Sequence, residues 1–206
     1  FMKPINEFKA RVAVGQAGNR PGNSTQYETF TIGSGGVLSH APKRAQSALM
    51  MMDAYQPEGF TLLTVDSIFM MPHLGVLSEH FYEAAKQVFE KDCIVRVGPC
   101  ISPVGVGKDG DPCVTVKGGG LNETVAFGQI RIFPLPIGET LDVTIEPAKN
   151  FDVGEGKGKA RSAKLKGGLV GIIVDTRGRP FNIDLNAPNR IAKLRSYLDA
   201  FGLPLP

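Results

Sequence analysis

The amino-acid sequence predicts an α+β protein, in which a partial α/β lobe precedes a β-rich barrel or sandwich and a C-terminal helix. Three observations predict this class. Two strand-to-helix units follow one another in the first 92 residues, short apolar runs separated by glycine and proline dominate from residue 93, and a helical stripe returns at the end. We therefore expect two domains, residues 1–92 and residues 93–206.

The predicted α/β lobe begins with a strand at residues 30–32, which runs into the glycine pair of TFTIGSGGVLSHAP. Pro42 suits an early helix position, apolar residues follow it at helical spacing, and Pro57 ends this helix. FTLLTVD, residues 60–66, is almost continuously apolar, which is typical of a strand covered on both faces. MPHLGVLSEHFYEAAKQVFEKD then predicts a turn and a helix with one apolar stripe, formed by Phe81, Ala85, Val88 and Phe89.

The β-rich part is predicted from alternation. LDVTIEP places Leu141, Val143 and Ile145 on one side of a half-buried strand. CVTVKGGG, ETVAFGQIRIFPL, ARSAKLKGG, LVGIIVD and RPFNI add strands at close spacing. A last helix is expected to start near Asn186 and Pro188 and to stop at Gly202. Its apolar face consists of Ile191, Leu194, Leu198 and Phe201.

Composition excludes several classes of function. The formal charge of +3 over 206 residues is too slight to indicate a nucleic-acid partner. No apolar run approaches the roughly 20 residues of a membrane helix and no signal peptide opens the chain, so we expect a cytoplasmic protein without a membrane partner. The three cysteines, Cys93, Cys100 and Cys113, lack C-x-x-C spacing, which predicts reduced thiols and no zinc site. The opening Phe1-Met2 indicates a processed or excised fragment.

The pair Gly35-Gly36 is the first candidate site. Glycine lets a backbone approach a ligand closely and permits positive φ, so a strand-GG-helix junction can lie against a nucleotide. The spacing is neither G-x-G-x-x-G nor that of a P-loop, and simple tight packing would give the same residues. Both interpretations stay open on local grounds.

Histidine and serine supply no catalytic pattern. His40, His73 and His80 form no H-x-x-x-H and no D-x-H-x-x-G, so neither a metal site nor a direct cobalamin motif is predicted. Capping or core roles are expected for all three. Ser34 and Ser39 do not stand in G-x-S-x-G, and no catalytic residue is predicted.

Two basic features are candidates for contact with an anion or a partner. In DTRGRP, Arg177 and Arg179 offer forked donors at a turn, although they could equally tie down neighbouring loops through Asp175 or Asp152. KGKARSAKLK, residues 157–166, has five basic residues and no acid. It is either a docking strip or a solvated strand and turn.

Several stretches together resemble one family. They are GSGGVLSHAP, AYQPEGFTLLTVDSIFMMPHLGVLS, CISPVG, FPLPIGETLDVTIEPAKNFDVGEGKG and GGLVGIIVDTRGRPFNI. Collinearly over about residues 30–195, they resemble the C-terminal half of the MutL-type accessory proteins of glutamate (methylaspartate) mutase. RVAVGQAGNRPGN, just before the first strand, matches poorly. The family is placed in the actin, sugar kinase and Hsp70-like ATPase superfamily, which implies a ribonuclease H-like lobe in residues 1–92.

The resemblance implies a function. Ser34, Gly35 and Gly36 match the glycine pair that lies against adenosine in such ATPases, so ATP and Mg are expected for the full-length protein. The aspartate-bearing hairpin D-x-G-x-[ST] of the first lobe does not occur here, so this chain is expected to lack ATPase activity. The implied role is that of a chaperone-like reactivase for an adenosylcobalamin-dependent mutase or aminomutase of amino-acid fermentation. The alternatives are a metabolic kinase or hydantoinase-like hydrolase, or a structural interaction module.

Overall fold

The computed structural model describes residues 29–203, which fold into three layers. Helices cover one face of a five-stranded sheet, and a four-stranded sheet covers the other face. The protein is a strand-rich mixed α+β fold, as the sequence predicts. The β-rich part is layered as a sandwich, and residues 29–203 contain no closed barrel. The ribonuclease H-like ATPase topology stays a prediction.

Eleven strands and five helices make up residues 29–203. The strands are β1 (Thr29–Gly33), β2 (Gly59–Asp66), β3 (Ile94–Ser102), β4 (Val104–Gly105), β5 (Pro112–Gly118), β6 (Leu121–Ala126), β7 (Ile130–Phe133), β8 (Thr140–Pro147), β9 (Phe151–Asp152), β10 (Arg161–Lys166) and β11 (Ile172–Asp175). The helices are α1 (Gly36–Ser39), α2 (Arg44–Tyr55), α3 (Met71–Leu77), α4 (Tyr82–Val88) and α5 (Arg190–Ala200), with a π-helical turn over Phe89–Cys93.

The five-stranded sheet has the order β1-β2-β3-β11-β7. The pairs β1-β2 and β3-β11 are parallel, whereas β2-β3 and β11-β7 are antiparallel. Strand β2 is buried along its whole length, which confirms that it is covered on both faces: Phe60 points into the core between the sheets and Leu63 into the core under the helices. The domain boundary expected after residue 92 falls at the start of this sheet's central strand, β3.

The four-stranded sheet has the order β10-β8-β5-β6 and is antiparallel throughout. The predicted alternation of β8 is confirmed, because Val143 and Ile145 are buried against the first sheet, whereas Asp142 is exposed and Thr144 and Glu146 are only half-buried. Burying an aliphatic side chain of this size contributes about 1.5–3 kcal/mol. The sandwich core therefore holds the two sheets together.

The helical layer packs its own stripes on the five-stranded sheet. In α2, Ala48, Met51 and Met52 are fully buried at helical spacing. From the C-terminal end, Tyr197 and Phe201 join the same core. Helices α2 and α5 thus share one core although about 140 residues separate them in the chain.

The prediction of a single helix after β2 is wrong. The segment forms two short helices, since the chain leaves α3 at Ser78 and restarts α4 after Phe81, whose backbone is not helical (φ −135°, ψ 59°). Of the predicted stripe only Ala85 is buried and Phe89 is half-buried, whereas Phe81 is 63% exposed and Val88 is also exposed.

Two predictions for the C-terminal part also need correction. RPFNI forms no strand, because the Phe181 N–H donates to the Gln56 side chain (2.7 Å) instead of to a neighbouring strand. Helix α5 begins at Arg190, later than expected, and Ile191 is 58% exposed. The buried residue of this helix is Tyr197, which the predicted stripe omitted.

Candidate functional site

The β1-α1 junction positions the glycine pair. Gly35 stands immediately before the first helical residue, Gly36. Its φ of 123° is a backbone conformation that residues with a side chain rarely adopt. Its carbonyl accepts the Ser39 N–H at 2.9 Å, which closes the turn. Gly35 is therefore required by the backbone.

Gly36 is not explained by the backbone or by packing. It has helical geometry, and a Cβ built on it would meet no atom of residues 29–203 within 4 Å. Gly33, just before the pair, differs: a Cβ there would lie 2.8 Å from Leu38 Cδ1 and from Met51 Sδ. Tight packing accounts for Gly33, whereas Gly36 leaves open space on the surface.

Ser34 turns inward. Its Oγ donates to Asp66 Oδ2 at 3.0 Å, and the same fully buried carboxylate accepts the N–H groups of Met70 (3.1 Å) and Met71 (2.8 Å). This network ties the end of β1 to the end of β2 and to the start of α3. In this arrangement Ser34 positions the turn and does not line the surface beside Gly36.

An open groove of about 810 Å³ lies beside Gly36. Its volume is in the usual range for small-ligand sites. Apolar side chains from α1, α2 and α5 line most of it, and its polar members are His40, Lys43, Gln46 and Asp53. The groove can therefore take a flat apolar group and offers it a small number of polar contacts.

The histidines take structural or surface positions. His40 follows α1, and its Nδ1 lies 3.0 Å from the Gly36 carbonyl oxygen, so the capping role expected for it is confirmed. His73 and His80 are exposed, so a core role is wrong for both. Within residues 29–203, no three His, Cys, Asp or Glu side chains are placed to hold a metal ion.

Arg177 and Arg179 are engaged inside the protein. Arg177 Nε and Nη2 donate to the two oxygens of Asp175 (2.9 and 3.0 Å), and Arg179 Nη2 donates to Asp175 Oδ2 at 2.8 Å. All three side chains are 1% exposed or less. The loop-tying alternative is thus the arrangement observed, through Asp175. Asp152 instead accepts two glycine N–H groups of its own turn.

A second carboxylate completes this cluster. Arg177 Nη1 donates to Asp53 Oδ1 at 2.7 Å, and its guanidinium carbon lies 4.1 Å from the Phe181 ring centroid and 5.1 Å from that of Tyr197. Two carboxylates and two guanidinium groups balance in charge. Because Asp53 also lines the groove, the turn at 175–179 and the glycine pair contact the same helix, α2.

Burial and charge oppose one another in this cluster. Burial alone would raise the pKa of Asp175, but the hydrogen bonds and charges of Arg177 and Arg179 outweigh it and hold that pKa below its ordinary value. Burial, helped by the charge of Asp175, raises the pKa of the nearby Cys100 thiol to about 12. Cys100 is therefore an inert structural thiol, and all three cysteines are free and buried, as expected for reduced thiols.

Comparison with known proteins finds a protein family that part of the chain resembles. Residues 13–93 match the family model described as MutL protein, a family associated with glutamate mutase. Residues 13–93 are therefore similar to this family, and we call them the MutL-family segment. The predicted resemblance is confirmed there, and the match begins inside the stretch RVAVGQAGNRPGN, which was expected to match poorly. Searches of curated proteins and of solved structures found no significant match.

The MutL-family segment contains the glycine pair, helix α2 and Asp53. No helix among residues 29–203 is long and apolar enough to cross a membrane. Sequence reasoning missed Asp53 and the contribution of α5 to the groove. An acidic residue on an amphipathic helix gives no local signal of its partner, which here lies 124 residues away.

Proposed function

We propose that this chain is part of an accessory protein that reactivates an adenosylcobalamin-dependent mutase, and that the groove beside Gly36 binds the adenosine part of ATP in the full-length protein. The observation that carries this proposal is Gly36 itself: a glycine inside the MutL-family segment that neither backbone angle nor packing requires, at the wall of a groove. A ligand that lies flat against the backbone explains it.

As far as residues 29–203 line it, the groove supplies contacts for a nucleoside but no phosphate clamp. Its lining is mainly apolar, which suits the face of a base. Phosphoryl transfer needs donors and a metal around the reacting oxygens. We therefore assign binding of the nucleoside to these residues, and Mg and the phosphates to the part of the protein that carries the D-x-G-x-[ST] hairpin.

A pair of glycine substitutions tests this assignment. Gly36→Ala adds one methyl group where the free protein has space, so the fold and the melting temperature are retained, while a ligand against that surface is displaced. We expect the affinity for ADP, measured by isothermal titration calorimetry or by amide chemical-shift titration, to fall at least about tenfold. Gly75→Ala is the matched control, because Gly75 is also helical, has no atom within 4 Å of its Cβ and lies outside the groove.

Two results would refute the assignment. One is the absence of ADP binding by the unmodified chain at millimolar concentrations. The other is an equal ADP affinity of the Gly36→Ala and Gly75→Ala variants, because the groove wall would then be irrelevant to the ligand.

The mutase contact is proposed at the basic strip of residues 157–166. Lys164 projects outward from β10, an edge strand of the four-stranded sheet, on the face opposite the core residues Ala163 and Leu165. The arginines of the 175–179 turn are less suited, because internal carboxylates occupy them. Lys164→Glu should weaken capture of purified glutamate mutase by the immobilised chain, with Lys86→Glu at an exposed position of α4, outside that sheet, as a control. Equal capture by both variants would exclude the strip.

A further inference from the structure

We propose that Asp53 reads the ligand of the groove: its second carboxylate oxygen accepts a hydrogen bond from a donor of the nucleoside, either a ribose hydroxyl or the amino group of adenine. This inference rests on the proposed nucleotide function and names the residue that would give that site its specificity.

The geometry leaves one oxygen of Asp53 available. Oδ1 accepts Arg177 Nη1 at 2.7 Å, and no donor among residues 29–203 hydrogen-bonds to Oδ2. The side chain is 48% exposed and lies in the wall of the groove. A carboxylate oxygen accepts hydrogen bonds and cannot donate them, so Oδ2 selects groups that carry N–H or O–H.

The carboxylate is held in place before any ligand arrives. Arg177 is 1% exposed, forks onto Asp175 and stacks on Phe181 and Tyr197, so the atom that holds Asp53 Oδ1 has little freedom. A fixed acceptor loses little entropy when it binds, which is the usual basis of specificity at a ligand site.

Charge sets the direction of the ligand. Asp53 is the only acidic residue of the groove lining within residues 29–203, and Lys43 is the basic one. Repulsion between carboxylate and phosphate disfavours a pose that places the phosphates beside Asp53. The nucleoside end is therefore expected at Asp53, and the phosphates point away from it.

A purely structural role for Asp53 makes a different prediction. If Asp53 only balances the charge of Arg177, its substitution lowers stability and changes the affinity for all nucleotides alike. If it reads a donor, the substitution changes the ratio of affinities between ligands that possess the donor and those that lack it. The relevant readout is this ratio.

The experiment compares ADP with its 2′-deoxy, 3′-deoxy and inosine analogues in titrations of the unmodified chain and of Asp53→Asn. In the variant, the amide oxygen must face the donor Arg177, so the NH₂ group replaces Oδ2 and turns a donor toward the ligand. The unmodified chain should prefer ADP by about tenfold or more over the analogue that lacks the group read by Asp53. Asp53→Asn should lose this preference and, where the adenine amine is read, reverse it in favour of inosine diphosphate. Asp199→Asn, an equal charge change at an exposed residue of α5 outside the groove lining, is the control.

The outcomes separate the two proposals. Failure of the unmodified chain to bind any of the four nucleotides refutes the nucleotide function and this inference with it. Binding without discrimination between ADP and all three analogues, or identical affinity ratios in Asp53→Asn, refutes the role of Asp53 alone. The analogue series on the unmodified chain keeps the test decisive if the variant does not fold.

Discussion

Replacing Asp175 by asparagine should remove a large fraction of the stability of the protein. Asp175 is fully buried and accepts four hydrogen bonds, three from Arg177 and one from Arg179. Asparagine has nearly the same shape, so no cavity forms. The change removes one negative charge and places an NH₂ group against a guanidinium donor.

The expected magnitude follows from the balance of charge. Among the residues that the structure describes, the two buried guanidinium groups would keep only Asp53 as a counter-ion, and Asp53 is half exposed. Breaking a buried ion pair by removing one partner costs about 3–5 kcal/mol, against total stabilities of about 5–15 kcal/mol for domains of this kind. Arg179 retains hydrogen bonds to Pro57 O and Ser102 Oγ, which places the expected loss near the lower end.

Reversible urea unfolding, followed by circular dichroism, measures this loss as a shift of the midpoint at constant slope. Asp152→Asn is the matched control, since within residues 29–203 Asp152 accepts only backbone N–H groups, and about 1 kcal/mol or less is expected there. Adding Arg179→Met to Asp175→Asn restores neutrality and should cost less than the sum of the single changes. A loss below about 1 kcal/mol for Asp175→Asn would refute the view that this carboxylate neutralises the cluster.

The charged cluster, the buried cysteines and the groove each have a further testable consequence. The folded pKa of Asp175 lies below its unfolded value of about 3.9, so the stability that its carboxylate contributes is complete above that pH and is lost as the pH falls through the folded pKa. The melting temperatures of the unmodified chain and of Asp175→Asn should therefore converge below about pH 4. A constant difference between them would contradict this. Burial raises the pKa of Cys100 and Cys113 to about 12, so on the order of one of these thiols in 10⁴ is ionised at pH 8. The native protein should react slowly with dithionitrobenzoate, and all three thiols should react only in denaturant. One fast-reacting thiol in the native protein would show that a cysteine is accessible. Purified chain should show no steady ATP turnover above that of Gly36→Asp, because the described residues of the groove include no phosphate clamp. Turnover above that control would overturn the assignment.

The elements that sequence analysis predicted well are those with a long local signal. The continuous apolar run of β2, the alternation of β8 and the helical spacing of α2 each report burial over seven or more consecutive residues. The prediction for residues 71–93 failed because the local pattern did not show where the helix is interrupted. The apolar residues of this segment fit one helix, but a non-helical residue at Phe81 divides it, and no proline or glycine marks that point.

Local sequence patterns could not predict the groove or the charged cluster, because each is assembled from segments that are distant in the sequence. Leu198 from α5 and Leu49 from α2 line the same groove, and Arg177 donates to Asp53, 124 residues away in the sequence. The motif DTRGRP did give the correct residues together with the correct alternative, namely that its arginines bind a nearby carboxylate. A motif can show that a forked donor needs an acceptor, but the fold decides which acceptor it finds.

The MutL-family segment depends on residues outside it. Strand β2 belongs to the segment, but its second neighbour is β3, which starts at Ile94, and β3 in turn pairs with β11. Phe60 on β2 is 1% exposed because residues of the four-stranded sheet cover it. The wall of the groove likewise includes Leu198. A chain cut after residue 93 would leave β2 with an unpaired edge and an open apolar face, so residues 29–203 are expected to unfold as one cooperative unit.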